Sequence, residues 1–288
     1  MEPAASHDRD HAVRRLPRLH FHLRQYGRAA GRVCHFLNGL LPNAIRVPKK
    51  PRRVGANMIS LFNITRFHPN KVEPNIILNN VSTQFPRKES IGILALGGAG
   101  KTTLARILSG VERPDTGHIQ RHNSLSHPLG STAGFHAGLS GAENVRFLAR
   151  LLRRNVKETT DYCESFADIG AYFHRPVGQY APVMRARLGF AFSMSVEFDT
   201  YLSDGVTSAG DHSFRDKCEA ALMERLTRSG LILLSRHART LNRFCTKFYA
   251  LHAGQLLPCS SAEEAQDILD YAGGYGNTYW NEAARHAR

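Results

Sequence analysis

The sequence predicts an α/β domain with a mainly parallel core sheet, and three observations support this fold class. Short apolar runs of strand length alternate with amphipathic stretches of helix length from Met58 onward. The apolar run at residues 90–96, SIGILAL, leads directly into a glycine-rich loop. The chain has 288 residues, of which 42% are hydrophobic, so it can bury a sizeable core.

Two strand-like segments open the predicted domain. Residues 58–67, MISLFNITRF, and residues 75–85, NIILNNVSTQF, are predicted to be edge strands joined by a turn around Pro69 and Pro74. The next segment, SIGILAL, is predicted to be a buried strand of the core sheet. The domain therefore starts with antiparallel strands and continues into the parallel sheet.

A helix begins in the glycine-rich loop, and further elements follow in alternation. This first helix is predicted to end at Gly110, a natural C-terminal stop, and RPDTGHI at residues 113–119 is a turn into another strand. Apolar periodicity predicts further helices at about residues 142–153, 157–169, 184–195 and 214–227, and buried strands at 200–203 and 231–234.

The glycine-rich loop at residues 95–102, ALGGAGKT, matches the phosphate-binding pattern GxxxxGK[ST] except that Ala95 occupies the first glycine position. Glycine is required where the backbone turns with positive φ or approaches a phosphate closely. Lys101 is predicted to reach the β and γ oxygens, and the Thr102 hydroxyl to bind Mg²⁺. The residues predicted to bind the nucleotide phosphates are Gly97, Gly98, Ala99, Gly100, Lys101, Thr102 and Thr103.

Segments after the loop narrow the choice among families of proteins with a phosphate-binding loop. AGFHAGLSGAENVRFLARL and MRARLGFAFSMS, together with residues 231–245, resemble the ATPase subunits of ABC transporters that export capsular polysaccharides from Gram-negative bacteria. The resemblance covers residues 58–271. It implies a P-loop NTPase fold of the ABC type, with an antiparallel β edge and a helical subdomain at about residues 137–195. Residues 1–57 have no counterpart in this family, and residues 272–288 are predicted to be a C-terminal tail.

The resemblance implies that this chain keeps the residues that bind nucleotide. Phe67 occupies the position of the aromatic residue that stacks on adenine, and Lys101 and Thr102 match the phosphate loop. Asp204 ends the Walker B strand and orders magnesium, and Asp211 lies in the loop after it. The implied cofactors are ATP and Mg²⁺, with Thr102 and Asp204 as the metal-binding side chains.

The same resemblance implies that the residues for hydrolysis are replaced. His136 stands where the family has a glutamine that senses the γ-phosphate, and residues 181–183, APV, stand at the Ser-Gly of the signature loop. Gly205 occupies the position of the catalytic glutamate. The switch histidine is replaced by Arg236, with His237 one place later. No catalytic residue of the family is therefore intact.

Three functional hypotheses follow from this division. The first is an ATP-binding subunit of an ABC exporter of capsular or related polysaccharide, with impaired hydrolysis. Such a subunit is expected to pair with itself or a related ATPase, and with a membrane permease, at the cytoplasmic face of the bacterial inner membrane. The alternative is a pseudo-ATPase, an interaction or regulatory module that binds nucleotide without turnover. The third is a decayed gene product without activity.

The net charge of +14 is unevenly distributed along the chain. Residues 1–57 contain 12 Lys and Arg against 3 Asp and Glu, whereas the rest contains 26 against 21. We predict a flexible or weakly helical basic arm, which is either an upstream extension from a misplaced start codon or a contact for anionic lipid or nucleic acid. The mildly basic body predicts no specific nucleic-acid partner.

Two classes of protein are disfavoured by the rest of the composition. The five cysteines are odd in number and scattered without CxxC spacing, which argues against a disulfide framework or a zinc site. No apolar run approaches the roughly 18 residues that a membrane span needs. A membrane role is therefore expected to act through a partner.

Overall fold

The computed structural model describes residues 58–68, 76–205 and 212–274 of the chain. Within these ranges nine strands form two sheets, accompanied by seven α-helices. The strands are β1 (Met58–Phe67), β2 (Ile76–Pro86), β3 (Ser90–Leu94), β4 (Thr116–Arg121), β5 (Leu125–Pro128), β6 (Thr200–Asp204), β7 (Gly230–Ser235), β8 (Lys247–His252) and β9 (Gln255–Cys259). The helices are α1 (Lys101–Ser109), α2 (Gly141–Leu151), α3 (Val156–Ala167), α4 (Pro182–Ser195), α5 (His212–Leu226), α6 (Ala238–Phe244) and α7 (Ala262–Gly274).

Some of the predicted features lie outside the described residues. These are the basic arm at residues 1–57, the turn around Pro69 and Pro74, Asp211, and residues 275–288 of the tail. The predicted domain limits at residues 58 and 271 therefore stay predictions.

The smaller sheet is antiparallel, with strand order β2-β1-β4. The prediction that β1 is an edge strand is wrong, because β4 pairs with its other side and places Ile119 opposite Leu61. After the turn that precedes it, β4 runs antiparallel to β1, so β1 is the central strand of this sheet. The antiparallel sheet itself is confirmed, and β2 is one of its edges.

The larger sheet has the order β5-β6-β7-β3-β8-β9 and is parallel from β5 to β8, with β9 antiparallel to β8. The mainly parallel core sheet is therefore confirmed. Strands β3, β6 and β7 are almost completely buried, which agrees with their continuous apolar sequences. Because parallel strands end at the same edge, the loops that follow β3, β6 and β7 meet there.

The four predicted later helices are confirmed, and their ends agree with the prediction to within two residues. Helices α2, α3 and α4 lie within residues 137–195, where a helical subdomain is predicted, together with two 3₁₀ turns at Gly170–His174 and Val177–Gln179. Helix α1 packs its buried side chains Leu104, Ile107 and Leu108 into a core shared by both sheets. None of the helices in the described part of the chain is long and apolar enough to cross a bilayer.

Candidate functional site

The loop between β3 and α1 has the backbone that a phosphate-binding loop requires. Gly98 and Gly100 have φ angles of 78° and 97°, in the left-handed region that favours glycine. A Cβ atom on Gly100 would lie 2.7 Å from Cγ2 of Ile77, so any side chain at this position would clash. Gly97 and Gly98 have no atom within 4 Å of an added Cβ, which leaves the outer side of the loop open. Ala99 packs on the core at the foot of the loop.

Ala95 replaces the first glycine of the motif without strain. Its φ angle is outside the left-handed region, and its methyl group is completely buried. Its N–H donates to the carbonyl of Ser235, at a distance of 3.0 Å, so the position still behaves as a continuation of the parallel ladder between β3 and β7. The structure therefore accommodates a methyl group at this position.

The Lys101 side chain folds back over the loop. Its Nζ donates to the carbonyl oxygens of Ala95 at 2.8 Å and Leu96 at 2.6 Å. Burial lowers the pKa of Lys101; the negative charge of Asp204 opposes this shift and the positive charge of Arg236 adds to it. The ammonium group is thus already placed at the loop, close to an acidic and a basic side chain.

Thr102 and Asp204 form the polar centre of the site. The Thr102 hydroxyl donates to Oδ2 of Asp204 over 2.7 Å, although 102 positions separate the two residues in sequence. Threonine and carboxylate oxygens are hard donors of the kind that Mg²⁺ prefers, so this pair fits the predicted magnesium site. Gly100 caps α1 without a side chain, and the first turn holds no acidic residue, which leaves its N–H groups available to an anion. Thr103 lies in that turn, half-buried.

Phe67 is the last residue of β1, and its partner strand β2 reaches the phosphate loop. The Phe67 Cα pairs with that of Ile76 across the β1–β2 ladder, and the next residue, Ile77, lies 2.7 Å from a Cβ built on Gly100. Phe67 is partly exposed, and His68, which follows it, is exposed. Two aromatic residues thus stand at the end of the strand where the adenine contact is predicted.

Three residues at the positions of hydrolytic groups lie at the same edge of the larger sheet. Gly205 directly follows Asp204 and has a φ angle of 90°, and Arg236 directly follows β7. Arg236 is exposed and has no ion pair within the described ranges. His237 is the N-cap of α6, where its N–H donates to Oγ of Ser235. A surface cavity of about 560 Å³ adjoins them, lined by Arg236, His237, Ala238, Arg239, Thr240 and Gln266.

His136 belongs to a separate loop before α2. The Asn144 side chain fixes this loop by accepting the N–H of His136 at 2.7 Å and donating to its carbonyl at 3.0 Å. The imidazole Nδ1 accepts the N–H of Gly138 at 3.2 Å, so the ring turns toward its own backbone. The sequence prediction missed Asn144, whose only signal is a polar residue on the otherwise apolar face of α2.

Residues 181–183 lie at the start of α4, in the helical subdomain. Pro182 is the first residue of the helix, and Ala181 caps it without a side-chain hydrogen bond. Proline fits this position because its φ angle suits a helix start and its missing N–H is not needed there. The helix is therefore intact, although this end presents neither a hydroxyl group nor the first backbone donor.

Known proteins with similar sequences show which family the chain belongs to. A family model described as ABC transporter matches residues 78–207, which include the phosphate loop and Asp204. The capsule polysaccharide export ATP-binding protein CtrD of Neisseria meningitidis serogroup B is 35% identical over 213 residues, covering 74% of this chain and 99% of that protein. The polysialic acid transport ATP-binding protein KpsT of Escherichia coli is 37% identical over 217 residues, covering 74% and 98% respectively.

Solved structures agree in fold. An ATP-binding cassette solved as a dimer in a post-hydrolysis state with ADP and Pi superposes with a TM-score of 0.59 and 18% identity, covering 69% of this chain and 96% of that one. An ATP-binding subunit of an ABC transporter has the same TM-score at 16% identity, covering 74% and 99%. At these identities the likeness concerns the fold alone, and it includes the antiparallel sheet and the helical subdomain.

Proposed function

Because this chain belongs to the ABC transporter family of ATP-binding proteins, we propose that it is the ATP-binding subunit of an exporter of capsular or related polysaccharide, with impaired ATP hydrolysis. One observation supports the proposal above all: the Thr102 hydroxyl donates to Asp204, so that both oxygens would be placed for Mg²⁺, while the next residue, Gly205, has no side chain. The proposed site would therefore bind a nucleotide and hydrolyse it poorly.

The proposed nucleotide binding depends on the phosphate loop, on the pair Thr102 and Asp204, and on Phe67. Members of this family bind ATP with Mg²⁺. Lys101 would hold phosphate oxygens, the amides of the loop from Gly97 to Gly100 would surround them, and Thr102 and Asp204 would order the ion. The bound ion neutralises phosphate charge. Phe67 is the proposed adenine contact.

Impaired hydrolysis follows from the chemistry of the replaced groups. A carboxylate that acts as a general base on the attacking water contributes about 10²–10⁴-fold to the rate, and Gly205 offers none. A positioned group that stabilises transition-state charge contributes a further roughly 10²–10³-fold. Arg236 retains a positive charge near Lys101, but a guanidinium has no acceptor for the proton of the attacking water.

A regulatory role is the second candidate, and a specific observation favours it. In its own site this chain has Gly205 at the predicted position of the catalytic glutamate. At residues 181–183 it also lacks the signature donors that would act in the site of a partner. An intact partner would therefore complete neither of the two shared sites. A module that binds ATP without turnover and regulates an intact exporter is consistent with both losses.

The proposed assembly follows from the family and from the relatives' names. We propose that the chain associates with a membrane permease subunit at the cytoplasmic face of the inner membrane, as a homodimer or with a related ATPase. The permease would supply the membrane-spanning part of the exporter.

Titration of the purified full chain with ATP and Mg²⁺, combined with a phosphate-release assay, tests the proposal. We expect saturable ATP binding and phosphate release near background. Lys101→Ala should weaken ATP binding by roughly 10- to 100-fold, because it removes a charged hydrogen-bond donor from the phosphates.

Lys157→Ala is the matched control, since Lys157 is an exposed lysine on α3 that pairs only with Asp161, one turn away. It should leave ATP binding unchanged. Robust phosphate release that disappears in Lys101→Ala would refute impaired hydrolysis. Absence of ATP binding by the unmodified chain would refute the proposed function as a whole.

A further inference from the structure

A network of charged side chains joins the end of β1 to the turn before β4. The Arg66 guanidinium contacts Oε1 of Glu112 at 2.6 Å through Nε and Oδ1 of Asp115 at 2.8 Å through a terminal nitrogen. The second oxygen of the Asp115 carboxylate, Oδ2, accepts the backbone N–H of Phe67 at 2.7 Å. The Arg66 side chain is only 19% exposed, so these contacts are partly protected from water.

The carboxylate of Asp115 replaces a missing strand partner. The β1–β4 ladder ends with Thr65 opposite Thr116, and the N–H of Asp115 donates to the Thr65 carbonyl at 2.9 Å. Beyond that point β4 provides no backbone acceptor for the N–H of Phe67. The pairing with β2 is also irregular between Arg66 and Phe67. The side chain of Asp115 therefore fixes the backbone of Phe67 where the sheet does not.

The residue fixed in this way lies at the end of β1, whose partner strand β2 reaches the phosphate loop. Phe67 pairs with Ile76, and the next residue, Ile77, lies 2.7 Å from a Cβ built on Gly100, so a shift at the end of β1 would change the position of Phe67 relative to the loop. Stacking of a base on an aromatic ring depends on the distance and tilt between the two planes. A nucleotide whose phosphates are fixed by the loop therefore requires a ring at a defined position.

We propose that Asp115, supported by Arg66 and Glu112, is a positioning residue that sets the Phe67 ring for adenine. It acts through the backbone of Phe67 and not on the nucleotide. The inference rests on the proposed binding of ATP and assigns part of the affinity to a residue distant in sequence from the phosphate loop. The chemical class recognised through this device is a purine base attached to a polyphosphate.

Comparison of ATP with inorganic tripolyphosphate, both with Mg²⁺, tests the role of Asp115. Asp115→Asn in the full chain should raise the Kd for ATP about five- to tenfold and leave the Kd for tripolyphosphate unchanged, because only ATP has a base. Phe67→Ala should raise the Kd for ATP by roughly tenfold or more, the usual effect of removing a stacking ring. The double variant should bind ATP no more weakly than Phe67→Ala alone, because both changes act on one contact.

Two further variants separate positioning from general loss of structure. Asp161→Asn removes an equivalent charge from an exposed pair on α3 and should change neither Kd. Glu112→Gln weakens the support of Arg66 without touching the Phe67 amide, and should raise the Kd for ATP alone, by a smaller factor than Asp115→Asn. It keeps the test decisive if Asp115→Asn fails to fold.

Other outcomes would overturn the inference. Equal losses of ATP and tripolyphosphate affinity in Asp115→Asn would show that the network only holds the fold, and unchanged affinities for both would show that Phe67 needs no such support. An unmodified chain that binds tripolyphosphate and ATP equally would refute the adenine contact. A chain that binds neither would refute the proposed function itself.

Discussion

Gly205, at the predicted position of the catalytic glutamate, has a backbone conformation that favours glycine. Its φ angle is 90°, its N–H donates to the Leu234 carbonyl at 2.8 Å, and its carbonyl accepts the Ser203 hydroxyl at 2.8 Å. These two hydrogen bonds stabilise a left-handed conformation that disfavours any residue with a Cβ. The predicted position of the catalytic glutamate therefore has a backbone suited to glycine.

Gly205→Glu and Gly205→Ala test this interpretation together. An added Cβ meets no atom within 4 Å, so the cost of either change is conformational, and we expect the free energy of unfolding to fall by about 1 kcal/mol in both. Phosphate release by Gly205→Glu should stay near background, because this variant still has Ala-Pro-Val at the signature position and Arg236 at the switch position. Urea unfolding and a phosphate-release assay measure the two effects. A gain in release of about 10²-fold or more with Glu but not Ala would instead show that the rest of the site is poised for hydrolysis.

A functional residue could be predicted from the sequence when the pattern that identifies it lies within a few residues of it. The motif identifies Lys101 and Thr102, and the end of an apolar strand identifies Asp204, because each signal lies within a few residues. The bond between Asp115 and the Phe67 backbone has no local signal, since 48 positions separate the two residues. This contact forms because β4 pairs antiparallel with β1. The sequence did not predict that pairing.

At the scale of elements, the longer helices α2 to α5 and the continuously apolar buried strands β3, β6 and β7 were predicted, whereas several other elements were missed. Helices α2 to α5 have 11 to 15 residues and were predicted near their true ends. The four-residue strand β5 and the seven-residue helix α6 are too short for a clear period. Strands β8 and β9 form a hairpin whose turn contains Ala253 in a left-handed conformation, which the sequence does not signal. Helix α7 was also missed.

The start of α2 illustrates stabilisation of an element by a local motif. Ser140 and Glu143 form a capping box, in which each side chain accepts the other's backbone N–H, at 3.2 Å and 2.8 Å. Hydrogen bonds from the Ser140 backbone and hydroxyl lower the pKa of Glu143. A lowered carboxyl pKa contributes stability above the ordinary glutamate range, and this stability is lost as the pH falls through the lowered value.

Ser140→Ala should therefore lower the free energy of unfolding by about 1 kcal/mol at neutral pH. The difference from the unmodified chain should shrink at acid pH, because protonated Glu143 no longer accepts these hydrogen bonds. Urea unfolding at the two pH values measures both. Ser195→Ala is the control, since this hydroxyl donates to the Phe192 carbonyl of α4 and makes its other hydrogen bond with the Cys163 thiol of α3, away from the capping box. An equal effect of Ser140→Ala at both pH values would exclude the contribution of Glu143.

For the whole molecule, the fold is that of the ABC family, whereas impaired hydrolysis is proposed from a few single residues. The sheets, the loop at residues 95–102 and the helical subdomain match solved ATP-binding cassettes over most of their length. The replaced residues change no element: Pro182 starts α4 normally, and Gly205 satisfies its backbone hydrogen bonds. The residues predicted to replace hydrolytic groups therefore leave the fold of the family unchanged.

ATP-induced dimerisation is the property of the whole molecule that these substitutions should change. In a cassette dimer, the signature loop of one subunit contacts the γ-phosphate bound to the other. Here Pro182 offers no N–H and no hydroxyl group, and Val183 presents an apolar side chain that is 41% exposed. We expect Mg²⁺ and ATP to cause no increase in the mass of the unmodified chain, measured by light scattering after size exclusion.

Pro182→Ser combined with Val183→Gly should restore the donors and produce a stable ATP-dependent dimer. The dimer should persist, because Gly205 cannot activate water to hydrolyse the trapped nucleotide. The same double variant carrying Lys101→Ala should not respond to ATP, which ties dimerisation to phosphate binding. An ATP-dependent dimer of the unmodified chain would contradict the argument, because it would require that this surface close over nucleotide without signature donors. In that case Arg236, the exposed cation beside the loop, would be the first group to test for bridging the two subunits.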